Sequence, residues 1–149
     1  MSLSSPRLYN PLTDTALVAS FANIHAECII KDNTLATFLP PLSHEKILDS
    51  WTQWSDQVRL GSREIIYQMA PGNGEEVEEV AGVVSLFKPA TETGPFRAEV
   101  QRLLVNPNHR YKGIARRLME YLERVARESE RPLLVRLSRS CVLLVKNQC

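Results

Sequence analysis

The stretch Val105 to Met119, V-N-P-N-H-R-Y-K-G-I-A-R-R-L-M, constrains this chain more than any other. A β-type run, Ala98 to Val105, leads into it. Asn106-Pro107 ends that strand, because Pro107 has no N–H to give a ladder and restricts the residue before it. A basic turn with one glycine follows, Arg110-Tyr111-Lys112-Gly113. Then Ile114, Ala115, Leu118, Met119, Leu122, Val125 and Ala126 recur at helical spacing on one face. Strand, turn and helix N-terminus together form a device for holding phosphate. The first-turn N–H groups lack intrahelical partners, and the helix dipole adds partial positive charge there. Gly113 lets the backbone approach a ligand with no Cβ in the way. Arg110, Lys112, Arg116 and Arg117 add formal charge at the same spot. The bland alternative is a solvated basic turn ahead of an ordinary amphipathic helix.

The rest of the chain is ordinary in bulk, which narrows the classes. A length of 149 residues is expected to make one domain with a real core. The formal charge of +1 gives no global reason to expect nucleic acid, since the basic residues at 110–117 are local and no aromatic–basic interleaving accompanies them. No apolar run reaches the length of a membrane span, and M-S-L-S-S-P-R lacks the apolar core of a secretory signal. Cys28, Cys141 and Cys149 are an odd number with no metal spacing, so no metal is expected. Reduced thiols in the cytoplasm, or the nucleus, are the plain reading.

In order along the chain, Arg7 to Tyr9 reads as a short strand. Thr13 or Asp14 is placed to cap a helix running to about Ile30, with Leu17, Val18, Phe21, Ile24, Ala26 and Cys28 on its apolar side. Leu35 to Leu42 reads as a loop. Ser43 caps a second helix that carries Ile47, Leu48, Trp51, Trp54 and Val58 and stops near Gly61. Arg63–Ala70 and Val80–Phe87 read as a hairpin around Pro71-Gly-Asn-Gly, with Glu75, Glu76, Glu78 and Glu79 as an acidic tip. Pro89 to Pro95 is a loop. Strict alternation in Phe96–Val105 puts Ala98, Val100, Arg102 and Leu104 on one face and Arg97, Glu99, Gln101, Leu103 and Val105 on the other. The third helix covers about Gly113 to Glu128, with Glu120/Arg124 and Glu123/Arg127 as i,i+4 pairs. Leu133–Leu137 is a fifth strand, and Leu143-Leu-Val continues apolar. The order is β, α, α, β, β, β, α, β.

R-Y-K-G-I-A resembles the Arg/Gln-x-x-Gly-x-Gly/Ala signature of the GNAT superfamily of N-acetyltransferases. The longer run R-A-E-V-Q-R-L-L-V-N-P is similar to the tabtoxin-resistance branch of that superfamily. The resemblance covers roughly residues 7–135. It implies an α/β (α+β) fold, a mixed and mostly antiparallel sheet with helices on both faces. It further implies acetyl-coenzyme A as co-substrate, seated in a V where strands four and five splay apart. By resemblance, Leu104 and Val105 offer backbone contacts to pantetheine and the oxyanion. Arg110, Tyr111, Lys112, Gly113, Ile114 and Ala115 hold the pyrophosphate, with Arg116 nearby. The acceptor implied is a small, amino-acid-like amine.

Glu99 is the candidate general base. It lies on the strand entering the cofactor site, where the branch carries a glutamate near the substrate amine, and a carboxylate there takes the proton directly or through water. The alternative is a strand-surface carboxylate paired with Arg97 or Arg102. His25 and His44 sit on helices without a ligand partner at i+3 or i+4, which points to surface or capping roles. His109 lies in the phosphate turn, within reach of the cofactor. Trp51 and Trp54 read as core, as does Cys28.

After Val135 the likeness stops. The family continues with an L-D-T-type strand end, a helix bearing a tyrosine placed to protonate the coenzyme A thiolate, and two more strands. This chain reads R-L-S-R-S-C-V-L-L-V-K-N-Q-C. Tyr111 and Tyr121 do not occupy that position. The expectation is a C-terminally incomplete domain with an atypical tail at 136–149. Strand five would then be an open edge inviting self-association, and the chain would be either an acetyltransferase or a weak or inactive relative that binds coenzyme A or only associates with partners.

Overall fold

The computed structural model of the protein describes residues 5–32, 43–72, 77–88, 97–128, 133–136 and 141–144. Its elements are β1 (Arg7–Leu8), α1 (Leu17–Asp32), α2 (His44–Leu60), β2 (Arg63–Pro71), β3 (Glu78–Phe87), β4 (Arg97–Val105), a 3-10 turn (Pro107–His109), α3 (Ile114–Glu128), β5 (Leu133–Arg136) and β6 (Cys141–Leu144). The six strands form one sheet in chain order. All neighbours pair antiparallel except β4 and β5, which are parallel. A parallel pair needs a crossover, and α3 lies between those two strands in the chain. The loops expected at 35–42 and 89–95, and Glu75 and Glu76 of the acidic tip, lie outside the described residues.

Local chemistry sets the helix ends. The Ser43 side chain accepts from the Lys46 N–H, and Gly61, at φ 85, closes α2 in the left-handed region that glycine adopts without a Cβ penalty. The start of α1 is later than a cap at Thr13 or Asp14 would place it. Asp14 instead closes a turn: its carboxylate accepts from the Asn10 N–H at 3.0 Å, and the Asn10 side chain accepts from Leu12 N–H at 2.9 Å. Such side-chain-to-backbone bonds compete with helix.

The sheet is buried on both faces. On one, α1 and α2 supply Phe21, Ala22, Ile24, Cys28, Ile47 and Trp51 against Ile65, Tyr67, Val80 and Val83. On the other, Ile114, Leu118, Leu122, Val125 and Ala126 of α3 lie on Ile66, Ala70, Ala81, Val84, Leu86, Ala98 and Val100. Gly82 makes room for α3, because a Cβ there would stand 2.6 Å from Ile114 Cγ2 and 2.9 Å from Leu118 Cδ1.

Strict alternation fails in β4. Val83 pairs with Leu104 and Ser85 with Gln101, so two residues, Arg102 and Leu103, oppose the single Val84. This is a β-bulge, and Arg102 sits in it at φ 57. The extra residue reverses the faces downstream. Ala98 and Val100, then Leu103 and Val105, pack toward α3, while Leu104 joins the α1–α2 side. Arg102 also lies on the α1–α2 side, its guanidinium 3.8 Å from the Trp54 ring centroid. The face expected for residues 102–105 is thus inverted.

Two further expectations are corrected. Glu120 pairs with Arg116 at 3.0 Å, while Arg124 lies over the Tyr121 ring at 5.1 Å. Strand five is not an open edge. Cys141–Leu144 runs antiparallel along it, from Arg136↔Cys141 to Leu133↔Leu144, so β6 takes the edge position.

Candidate functional site

At the C-terminal end of β4 a cleft of about 670 Å³ opens between the bulged strand, the turn after it and the start of α3. Leu104, Val105, Arg110, Tyr111, Gly113, Ile114, Ala115 and Arg116 all line it. Lys112, expected beside them, does not. Its ammonium is drawn back to His109 Nδ1 at 3.0 Å. His109 is buried, and its Nε2 lies 2.6 Å from Glu79 Oε1 on β3. An ammonium only donates, so Nδ1 accepts. The ring proton is then on Nε2 and is given to Glu79. The chain Lys112–His109–Glu79 pins the turn to the sheet.

Asn106 pins the other end. Its N–H donates to the Ala81 carbonyl at 2.8 Å, its amide Nδ2 to the Val80 carbonyl at 3.0 Å, and its Oδ1 accepts from Asn108 N–H at 3.0 Å. Tyr111, between these anchors, and Gly113, just past Lys112, take φ 65 and φ 76. Left-handed residues in such turns build concave arrays of backbone N–H groups that suit anions. The first regular helical bond of α3 runs from Arg117 N–H to the Gly113 carbonyl at 3.1 Å. The N–H groups of Ile114, Ala115 and Arg116 therefore have no intrahelical acceptor. A Cβ on Gly113 would meet nothing within 4 Å, so the space beside it is open.

The cleft has lining residues that motif reasoning did not assign to it. Leu103 enters because of the bulge. Cys28 reaches it from α1, where helical spacing alone read as packing. Its thiol donates to the Val105 carbonyl at 3.4 Å and receives Arg110 Nη2 at 3.8 Å. That contact joins residues 77 positions apart, so no local pattern carries it.

Glu99 is placed elsewhere. It is not among the cleft's lining residues, and it pairs with Phe87 of β3, five residues from Gly82, the partner of Val105. It lies half-buried on the α1–α2 side of β4, where Gln101 Nε2 donates to its Oε2 at 3.2 Å. Arg63 is its cationic neighbour. That buried side chain donates Nε to Gln57 at 2.7 Å and Nη1 to both Ser85 and Gln101, at 2.5 and 2.8 Å. Burial, then the charge of Arg102, pushes the Arg63 guanidinium down to about 10, with Glu99 opposing. Both guanidiniums pack on Trp54, at 3.7 Å for Arg63 and 3.8 Å for Arg102.

His25 is a correction. It is neither a surface nor a capping residue but only 2% exposed. Its Nδ1 accepts from Trp51 Nε1–H at 3.2 Å. Burial, helped by Arg102, lowers its pKa from 6.5 to about 4.

Among the described residues, no helix is long and apolar enough to cross a membrane. No group of three or more His, Cys, Asp or Glu among them is placed to hold a metal ion.

The sequence matches the acetyltransferase (GNAT) family over residues 30–138. No curated protein matches it significantly. Solved structures share its fold at low identity. The yncA protein of Salmonella typhimurium, solved with its cofactor acetyl-CoA, superposes with a TM-score of 0.66 at 18% identity, over 91% of this chain and 69% of that one. An N-acetyltransferase from Staphylococcus aureus Mu50 gives 0.69 at 19% identity, over 93% and 76%. A ribosomal-protein-alanine N-acetyltransferase from Brucella melitensis gives 0.65 at 23% identity, over 88% and 72%. With nearly three-quarters of its length inside the family match, and with strand, bulge, turn and helix arranged around one cleft, the chain belongs to the GNAT family of acetyltransferases.

Proposed function

We propose that the protein transfers the acetyl group of acetyl-coenzyme A to the amine of a small molecule. The observation that carries this reading is the cleft itself, where one opening is bordered by the bulged strand and by an anion-suited turn. Its volume falls in the ordinary range for small-molecule sites, about 300–1,000 Å³. The residues fit the group. The backbone from Arg110 to Ala115, open beside Gly113, would hold the pyrophosphate, and Leu104 and Val105 would lie along the pantetheine. Arg116 and Arg110 add charge, whereas Lys112 serves the turn through His109.

Acetyl-coenzyme A supplies an activated thioester; the chain must supply position and proton handling. A lysine-like amine, at pKa near 10, is mostly protonated at neutral pH and must lose that proton before it attacks. Glu99 is the group proposed to take it, directly or through a water. Arg63 and Gln101 beside it keep a carboxylate oriented on the half-buried face of β4. Likeness to the tabtoxin-resistance branch supports a small, amino-acid-like acceptor.

The test is calorimetric titration of acetyl-coenzyme A into the protein and into Gly113→Asp, with release of free thiol followed over a panel of amines. The parent binds, and the variant, with a carboxylate pointed at the phosphate site, loses binding. Equal affinity in the two would refute the phosphate assignment. Binding without thiol release from any amine would remove the transferase reading and leave a coenzyme A-binding protein.

A further inference from the structure

The bulge in β4 sets how the backbone of Leu103, Leu104 and Val105 borders the cleft, and it is built on a residue that resists the conformation it holds. A non-glycine side chain at φ 57 clashes with its own backbone, and such residues persist where the surroundings fix them. Arg102 is anchored on α2, with Arg63 of β2 and His25 of α1 close enough to feel its charge. Its Nη2 donates to Ser50 Oγ at 2.5 Å, and its guanidinium lies 3.8 Å from the Trp54 ring centroid and 5.2 Å from that of Trp51. Ser50 and Trp54 lie one turn apart on α2, and the neighbouring Trp51 points into the core. Trp51 is fully buried against Phe21 and holds His25, and Trp54 packs on Trp51 at 5.3 Å.

We infer that Arg102 is a positioning residue for the cofactor strand. Its side chain, clamped on Ser50 and Trp54 of α2, holds the β4 bulge that aims the backbone of Leu103 to Val105 into the cleft. The inference rests on the acetyl-coenzyme A reading for its activity readout, but not for its structural one. Arginine suits the task better than lysine. Its planar head stacks on an indole while one edge still donates to Ser50, which a single ammonium does not do at once. Burial pushes the guanidinium down to about 10, so the charge has been brought out of water. Arg102 is not itself a lining residue of the cleft, and it acts through its neighbours in the chain.

The decisive variants separate the side chain from the backbone. Arg102→Gly keeps a residue that accepts φ 57 freely but removes the clamp. Ser50→Ala and Trp54→Leu remove the anchors and leave β4 untouched. Acetyl-coenzyme A affinity, melting midpoint and amide hydrogen exchange at Leu103 to Val105 are measured for each. If the clamp positions the bulge, Arg102→Gly weakens cofactor binding about tenfold, within the range for coupling through packed side chains. Those three amides then exchange faster, Trp54→Leu weakens binding similarly, and the two substitutions together do no more than either alone. Parent-like binding and exchange in Arg102→Gly would show that the bulge holds itself and overturn the inference. Should Arg102→Gly fail to fold, the two α2 variants decide by the same readouts. If the parent protein does not bind acetyl-coenzyme A, the functional reading falls on its own. The exchange rates of Leu103 to Val105 then decide the clamp: faster in the variants supports it, unchanged refutes it.

Discussion

Lowering the pH should destabilise this protein through His25. Folded, the side chain takes a hydrogen bond from Trp51 on Nδ1, and its burial, then the charge of Arg102, hold its pKa near 4 instead of 6.5. Because the folded value lies below the unfolded one, the unfolded chain takes up the extra proton first. The stability linked to His25 is therefore fully present above about 6.5 and is lost as pH falls toward 4. At 1.36 kcal/mol per pKa unit, the interval is worth about 3 kcal/mol, a large part of the roughly 5–15 kcal/mol a domain has in hand. On the imidazolium, Nδ1 would carry a proton and face the Trp51 N–H donor to donor, losing that hydrogen bond. Urea unfolding of the parent and of His25→Asn, from pH 7.5 down to 4.5, isolates the effect. Asparagine keeps an acceptor close to the Nδ1 position and does not titrate. The parent should lose about 2–3 kcal/mol more than the variant over that span. A parent-minus-variant difference that stays flat with pH would refute the reasoning.

Gly82→Ala should cost about 1–3 kcal/mol and weaken acetyl-coenzyme A binding, because its Cβ meets Ile114 and Leu118 and pushes the first turn of α3 off the sheet; a parent-like melting midpoint and affinity would contradict it. Glu99→Gln should lower turnover and shift the pH–rate profile while leaving cofactor affinity nearly unchanged, and an unshifted profile would remove Glu99 from the base role. His109→Phe fills much of the same space without hydrogen bonds. It should release Lys112 and Glu79, lower stability by about 1–2 kcal/mol and weaken cofactor binding, both measurable by melting and titration.

Much of the fold was legible because its signals are local. Ser43 and Gly61 bracket α2 by chemistry that acts within one turn. The apolar spacing of α3 needs no partner to be seen, and its face on the sheet is the one that spacing picks out. Asn106-Pro107 does end the strand, and Gly113 does take positive φ ahead of the helix. The turn proposed to hold phosphate lies within one continuous stretch, so sequence order already placed its residues side by side.

What only the tertiary structure decided depends on partners distant in the chain. The phase of β4 beyond Gln101 follows from two residues facing the single Val84, a fact of register with β3 that alternation within β4 does not contain. His25 looked like a surface histidine because its partners, Trp51 and Arg102, arrive from another helix and from a strand. Cys28 entered the cleft, Lys112 left it, and Arg63 and Arg102 met on one indole through packing alone. Pairing of Cys141–Leu144 along β5 is likewise a choice made between strands. The physical reason is common to all of these. Periodicity records which side of its own backbone a residue occupies, but what waits on that side is set by the other elements that close over it.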